Sequence, residues 1–155
     1  MANCCFSQCQ GPFQAWLRPG YWIPGVRNLH SCRQTWDLDG TPSENFDRLS
    51  HFIEENERQQ NWILRQANSD THFIQIFTYT PSQWLDVTEI QLQPGPQSGT
   101  RAVCKSFSSG FLPVCVPGAP LWNALLCFVP FSDMGLARKR LNRICTENGG
   151  RLSKL

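Results

Sequence analysis

The sequence predicts an α+β domain, in which two helices pack on an antiparallel sheet of four or more strands. A helix signal over residues 42–59 is followed by four segments rich in β-branched and aromatic residues. Short turn signals separate the segments and no helical pattern interrupts them, so consecutive strands are expected to pair as hairpins. A second helical pattern follows over residues 132–147.

The chain of 155 residues is long enough to bury one core without disulfides or a metal. We expect a single domain over residues 41–150 and a basic tail over residues 151–155. Residues 1–40 carry Gly, Pro and scattered aromatic residues without helical or alternating periodicity. They are therefore expected to form an irregular arm.

The first helix is predicted by a capping box, Thr41 to Glu44, with Pro42 in the first helical position. Its apolar residues recur at helical spacing on one side: Phe46, Leu49, Phe52 and Ile53. This stripe is expected to pack on the sheet.

Four strands are predicted over residues 61–67, 71–80, 86–93 and 100–109, with turn residues between them. The second segment contains THFIQIF, which is apolar on both faces. We therefore expect it in the interior of the sheet.

The last helix is expected to start at Ser132, a good N-cap, and to stop at Gly149. Lys139, Arg140 and Arg143 are spaced so that they share the side opposite its apolar stripe. These three cations are predicted to contact anionic lipid head groups. The alternative is an ordinary solvated helix face.

No charged residue lies between Lys105 and Asp133. Prolines recur within residues 111–131, so a transmembrane helix is not expected there. Two interpretations stay open: a crossover buried against the sheet, or an apolar loop that enters a membrane interface or covers a lipid site. In the second interpretation the interface anchors are Phe111, Leu112, Trp122 and Phe128.

The N-terminus lacks the pattern of a signal peptide, so we expect a cytoplasmic protein with free thiols. Cys4, Cys5 and Cys9 lie close together and are predicted as lipid-attachment sites by S-acylation; the alternative is unmodified thiols. Their spacing does not match paired Cys-x2-Cys zinc ligands, so no metal site is predicted.

No catalytic residue and no cofactor are predicted. The segment SFSSG at residues 106–110 lacks the first glycine of a nucleophile elbow. Asp86 and Glu89 lie on a predicted strand at a spacing that points them to opposite faces, so they cannot act as a carboxylate pair. The net charge of +2 does not indicate a nucleic-acid partner.

Three motifs follow one another in the chain: DVTEI at residues 86–90, SFSSG at 106–110 and DMGLARKR at 133–140. Their order resembles the ending of the domain-of-unknown-function family fourteen ninety-nine, whose pattern is Asp-Asp-Val-Glu-Phe, Arg-Ser-Ala-Ser-Arg-x-Gly and Asp-Leu-Gly-Val-Asn-Arg-x-Arg. The resemblance covers residues 42–144 and implies a small α+β domain without an established activity. The departures are Lys105 and Ser109 at two arginine positions, Ala137 at the asparagine, and the insertion of residues 111–131.

These features predict a non-catalytic cytoplasmic domain, peripheral at a membrane surface, that binds a lipid or another apolar ligand. One alternative is a small enzyme of unknown reaction with its site beneath residues 111–131. The other is a protein-interaction module that uses the same apolar segment. A pocket with convergent polar groups would favour the enzyme, and an exposed apolar patch would favour a membrane or protein contact.

Overall fold

The structure, a computed structural model, describes residues 5–17, 31–126 and 135–153. Within these residues a 3₁₀ turn, Pro96–Ser98, precedes the strand that begins at Thr100. In chain order the helices and strands are α1 (Cys5–Trp16), β1 (Ser31–Leu38), α2 (Pro42–Gln60), β2 (Trp62–Asn68), β3 (Phe73–Tyr79), β4 (Leu85–Pro94), β5 (Thr100–Ser108), α3 (Ala119–Leu125), α4 (Leu136–Glu147) and β6 (Arg151–Leu152).

The six strands form one sheet in the order β2-β3-β4-β5-β1-β6, and every neighbouring pair is antiparallel. The predicted α+β fold is thus confirmed, and the four predicted strands are β2 to β5. Strand β3 lies between β2 and β4, which agrees with its apolar character on both faces.

Helix α2 begins and ends as the sequence predicts. The hydroxyl of Thr41 accepts a hydrogen bond from the backbone N–H of Glu44, and the Glu44 carboxylate accepts one from the N–H of Thr41 at 2.9 Å. These bonds, the backbone one first, lower the pKa of Glu44. The helix ends at Asn61, which adopts the left-handed conformation with φ of 51°.

The two faces of the sheet are covered differently. Helices α2 and α4 pack on one face over the larger apolar core, which includes Leu49, Ile74, Ile90, Cys104 and Leu141. On the other face a smaller cluster lies beneath α1 and the segment after β5; it contains Ala15, Phe77, Tyr79, Leu85, Val87, Phe107 and Val114. Register explains the division, since Val87 pairs with Phe77 and Phe107 while Ile90 pairs with Ile74 and Cys104.

The prediction of an irregular arm over residues 1–40 is wrong. It contains α1 and β1, and β1 lies in the interior of the sheet between β5 and β6. The side chain of Trp36 on this strand is fully buried. The prediction of a basic tail over residues 151–155 is also wrong in part, because Arg151 and Leu152 form β6 and pair with β1. The domain therefore extends beyond the predicted boundaries at both ends.

Two further predictions change at the apolar segment and the last helix. Residues 111–131 are not a continuous loop, because α3 forms within them after Gly118, whose φ is 75°. Helix α4 begins at Leu136, and its N-cap Gly135 has φ of 76°. Because Gly135 adopts the left-handed conformation, α4 starts after it and not at the predicted Ser132. Ser132 itself lies outside the described residues.

Candidate functional site

Helix α1 binds the domain through its polar side. Its buried residues are Ser7, Gly11, Gln14 and Ala15. The Ser7 hydroxyl donates to Gln83 Oε1 at 2.9 Å, and the Gln14 side-chain amide donates to the Ser109 hydroxyl at 2.7 Å. The side of α1 that faces the protein is thus held largely by hydrogen bonds.

The side chain of Gln10 joins α1 to the segment that leads into α3. Its Nε2 donates to the carbonyl oxygens of Val114 and Val116, each at 3.1 Å. Its Oε1 accepts from the backbone N–H of Gly118 at 2.9 Å. One amide therefore bonds to three backbone groups of this segment, of which the Val116 carbonyl oxygen also accepts from the N–H of Ala119.

Gly11 sets how closely α1 approaches the sheet. A Cβ atom at this position would lie 2.3 Å from the hydroxyl oxygen of Tyr79. That hydroxyl donates to the carbonyl oxygen of Ser7 at 3.2 Å, and burial raises the pKa of Tyr79. Only glycine permits this contact between the helix backbone and the tyrosine.

Helix α3 is held in the same manner. Its buried residues are Ala119, Pro120 and Asn123. The Asn123 side chain accepts from the backbone N–H of Leu112 at 2.7 Å and donates to the Leu112 carbonyl oxygen at 3.0 Å. A Cβ atom at Gly110 would lie 2.2 Å from Asn123 Cγ, so the segment before α3 is also fitted closely to it.

The outer sides of both helices are apolar. Their large side chains are between 47% (Phe13) and 64% (Leu125) exposed. Helices α1 and α3 contact each other, and two further exposed aromatic residues are joined by a hydrogen bond, which the indole N–H of Trp84 donates to the Phe111 carbonyl oxygen at 2.9 Å. We call these exposed residues together the apolar surface; it consists of Phe6, Phe13, Trp16, Trp84, Phe111, Leu121, Trp122 and Leu125.

A helix of a water-soluble domain usually turns its apolar stripe inward and its polar side outward. Helices α1 and α3 depart from this rule, because they bury polar side chains together with small apolar residues and turn their large apolar side chains outward. Residues 5–17 and 106–126 contain no charged side chain, so the main part of the apolar surface is also uncharged. Cys5 and Cys9 are exposed on α1, the helix that supplies Phe6, Phe13 and Trp16 to this surface.

Two of the four predicted interface anchors lie on the apolar surface: Phe111 and Trp122 are exposed. Leu112 is half-buried, and Phe128 and Cys4 lie outside the described residues. Sequence reasoning missed Phe6, Phe13 and Trp16 because it treated residues 1–40 as irregular. Their spacing of seven and three residues, with Cys9 between the first two, was the helical signal that could have found them.

A second feature, the polar cluster, lies on the sheet face that carries α4. It consists of Asp86, Thr88, Ser106, Ser108 and Arg140. A guanidinium N–H of Arg140 donates to Asp86 Oδ2 at 2.9 Å, and these side chains are only 12% and 6% exposed. The Ser108 hydroxyl donates to the other Asp86 oxygen, and the Thr88 and Ser106 hydroxyl oxygens lie 3.0 Å apart.

The predicted row of three exposed cations on the last helix is wrong for Arg140. Its side chain turns to the sheet, because Asp86 and the Ser106 hydroxyl provide acceptors there. Arg143 is half-exposed and pairs with Glu147 one turn later, at 2.9 Å. Lys139 is exposed, as expected, and so is Arg138.

The polar cluster is suited to holding α4 on the sheet. Arg140 reaches both Asp86 and Ser106, so it joins α4 to β4 and β5. Beside it, the buried hydroxyl of Thr78, which faces Asp86 across the strand pair, has no hydrogen-bond partner within the described residues. Among those same residues, no group of three or more His, Cys, Asp or Glu could hold a metal ion.

No helix within residues 5–17, 31–126 and 135–153 is long and apolar enough to cross a membrane. The chain matches no protein-family model, and no curated protein matches it significantly. The resemblance to family fourteen ninety-nine therefore stays a prediction.

Proposed function

We propose that this domain associates with a membrane surface through the apolar surface. The observation that carries the proposal is the inverted arrangement of α1 and α3, which bury glutamine, serine and asparagine and expose phenylalanine, tryptophan and leucine. Leaving such side chains in water forgoes on the order of 1.5–3 kcal/mol for each one that could be fully buried. A partner that covers them recovers part of that free energy.

A lipid bilayer interface suits the chemistry of this partner. Trp and Phe partition to the level of the head groups, and amphipathic helices lie in the plane of the interface with their apolar side inward. Because residues 5–17 and 106–126 are uncharged, inserting the outer sides of α1 and α3 desolvates no charged group of these segments. Polar bonds inside the domain meanwhile keep both helices in place.

Two cations, Arg138 and Lys139, are exposed in the first turn of α4, on the sheet face opposite the one that α1 covers. Helix α4 runs along the sheet from Ser106, which Arg140 contacts, towards Leu38, which lies close to Gly150. Its first turn therefore points towards the end of β5 from which the segment to α3 departs. Arg138 and Lys139 are exposed there and would each contribute about 1 kcal/mol near anionic head groups. We propose these two, rather than Arg140, as the head-group contacts.

Binding of the full chain, purified without modification, to neutral phosphatidylcholine vesicles tests the proposal. Replacing Trp16 and Trp122 together by serine is expected to lower the partition coefficient by at least about tenfold, since that corresponds to only about 1.4 kcal/mol. Leu152→Ser is the matched control, because Leu152 is 57% exposed on β6, outside the apolar surface. It is expected to bind as the wild type does.

Equal vesicle binding by the tryptophan variant and the wild type would refute the proposal. If the unmodified chain ignored vesicles but self-associated, and the same substitutions abolished the self-association, the protein-interaction alternative would replace it. The enzyme beneath residues 111–131 and the binding of a single lipid or apolar ligand stay predictions.

A further inference from the structure

We propose that Cys5 and Cys9 are both S-acylated, an inference that rests on the proposed membrane association. The two thiols are exposed on α1 and lie four residues apart, so they occupy neighbouring positions on one side of the helix. Phe13 follows Cys9 by another four residues and is exposed on the apolar surface. Acyl chains attached at Cys5 and Cys9 would thus leave the protein beside the aromatic side chains.

The structure separates these two thiols from the other described cysteines. Cys104 and Cys145 are buried in the core, and burial raises the pKa of both. Cys32 and Cys115 are half-buried. Since a thiolate must reach the acyl donor to react, Cys5 and Cys9 are the most accessible nucleophiles among the described cysteines.

The donor would be a long-chain fatty acyl-coenzyme A. The cysteine thiol loses its proton, and the resulting thiolate attacks the carbonyl carbon of the donor thioester. A new carbon–sulfur bond forms while the bond to the coenzyme A sulfur breaks, and the coenzyme A thiolate leaves and takes up a proton. One thioester is exchanged for another, so no oxidant or reductant is needed.

Two chains differ from one in their effect on anchoring. A single acyl chain supports only marginal, reversible membrane binding, and stable attachment needs two signals. Neighbouring chains at Cys5 and Cys9, together with the apolar surface, meet this requirement on one small helix. The polar contacts of Ser7, Gln10 and Gln14 on the opposite side of α1 are compatible with such anchoring, because none of them involves either thiol.

Metabolic labelling of the full chain in cultured cells with an alkynyl palmitate tests the inference. The wild type is expected to carry label that hydroxylamine releases, as a thioester does. Cys5→Ser combined with Cys9→Ser is expected to lose this label, and each single variant to lose part of it. Cys32→Ser and Cys115→Ser, at two half-buried thiols, are the matched controls and should retain the label. Near-ultraviolet circular dichroism checks that each variant is folded.

A wild type without hydroxylamine-sensitive label would overturn the inference, as would label in the double variant equal to that of the wild type, or label that disappears in Cys115→Ser alone. This experiment fails separately from the vesicle experiment, which uses the unmodified chain. Thioesters at Cys5 and Cys9 on a protein whose unmodified form ignores vesicles would uphold acylation and refute the role of the apolar surface. Vesicle binding without thioesters would do the opposite.

Discussion

Helix α2 places Leu49 and Ile53 against the sheet with no exposed area, whereas α1 places Ser7 and Gln14 against it and leaves Trp16 63% exposed. The outer side of α2 is charged, while α1 contains no charged residue. One helix is thus held by burial of apolar side chains and the other largely by hydrogen bonds. The side that each helix leaves outside differs accordingly.

The difference has an energetic consequence. A buried leucine or isoleucine contributes about 1.5–3 kcal/mol, whereas a typical internal hydrogen bond contributes a net of about 0.5–1.5 kcal/mol. Helix α1 therefore adds less to stability than α2 and retains most of its apolar area. A helix that served only to complete the fold would be expected to use that area against the core. This contrast supports a role for α1 outside the fold.

Helices α4 and α3 differ in the same way as α2 and α1, and α4 in addition carries a buried charged side chain. Helix α4 buries Leu141 and Ile144 as α2 buries its stripe, but it also places Arg140 against the polar cluster. A buried ion pair costs desolvation, so it contributes little net stability compared with apolar residues, but losing one partner is strongly destabilising.

The largest expected effect concerns this ion pair. Arg140→Met should lower the free energy of unfolding by about 3–5 kcal/mol, because it leaves the buried Asp86 carboxylate without its cation. Arg143→Met is the matched control on the same helix. Its partner Glu147 is at the surface, so the expected loss is at most about 1 kcal/mol. Urea denaturation measures both.

Adding Asp86→Leu to Arg140→Met should recover much of the lost stability, since no unpaired charge then remains in the core. Similar losses for Arg140→Met and Arg143→Met would mean that the Asp86 carboxylate is solvated, and the contrast between the two arginines would be lost.

The second prediction compares α2 and α1 directly. Leu49→Ala should lower the free energy of unfolding by about 2–5 kcal/mol, because it removes a fully buried side chain and leaves a cavity. Phe13→Ala removes a larger side chain, but Phe13 is 47% exposed and its stability change should stay within about 0.5 kcal/mol. A loss of several kcal/mol for Phe13→Ala would show that α1 also depends on apolar burial.

Local sequence signals were enough to predict the helices and strands that turn their apolar residues towards the core. The capping box of Thr41 and Glu44 and the apolar stripe of α2 predicted that helix within one residue of its end. Strands β2 to β5 were found because each is rich in β-branched or aromatic residues and is bounded by turn residues. Their antiparallel pairing followed from the short connections between them.

The features that the sequence did not predict are those without this apolar pattern. Strand β1 buries Trp36 and Leu38, but most of its other residues are polar, so no apolar alternation marks it. Helix α1 reads as a poor core helix because glutamine and serine face the protein. Arg140 was placed outward because the acceptor that draws it inward, Asp86, is 54 residues away in the chain. Only tertiary contacts supply that information.

A third and smaller effect is expected at Gly11, where α1 approaches the sheet. Gly11→Ala should destabilise the docked helix by about 1–3 kcal/mol, because its Cβ would overlap the Tyr79 hydroxyl. Hydrogen exchange of residues 5–17 should then speed up while that of α2 stays unchanged. Adding Tyr79→Phe should restore part of the protection, since the nearest ring atom would then be 3.3 Å from the new Cβ. Unchanged exchange in Gly11→Ala would show that α1 is not held at this distance.

The smallest expected effect is the contribution of the buried Cys104 thiol to the pH dependence of the unfolding free energy. Burial raises the pKa of Cys104 well above its usual range, and the neighbouring Cys145 raises it further. The folded chain therefore keeps this proton at a pH where the unfolded chain, with an ordinary thiol pKa of about 8.5, has lost it. Proton binding then favours the folded state, so the stabilisation is complete below about pH 8.5 and falls as pH rises.

Between pH 8 and 9.5 the loss due to Cys104 should be about 1 kcal/mol, measured as the change in unfolding free energy by urea denaturation under reducing conditions. Cys104→Ala should reduce this dependence, because it removes one proton that the folded state retains, while Cys145, whose pKa burial also raises, still contributes. Measurements below pH 10 limit the contribution of Tyr79 to the pH dependence of stability, because burial also raises the pKa of Tyr79. An unchanged slope in Cys104→Ala would overturn the assignment of Cys104 as a buried thiol.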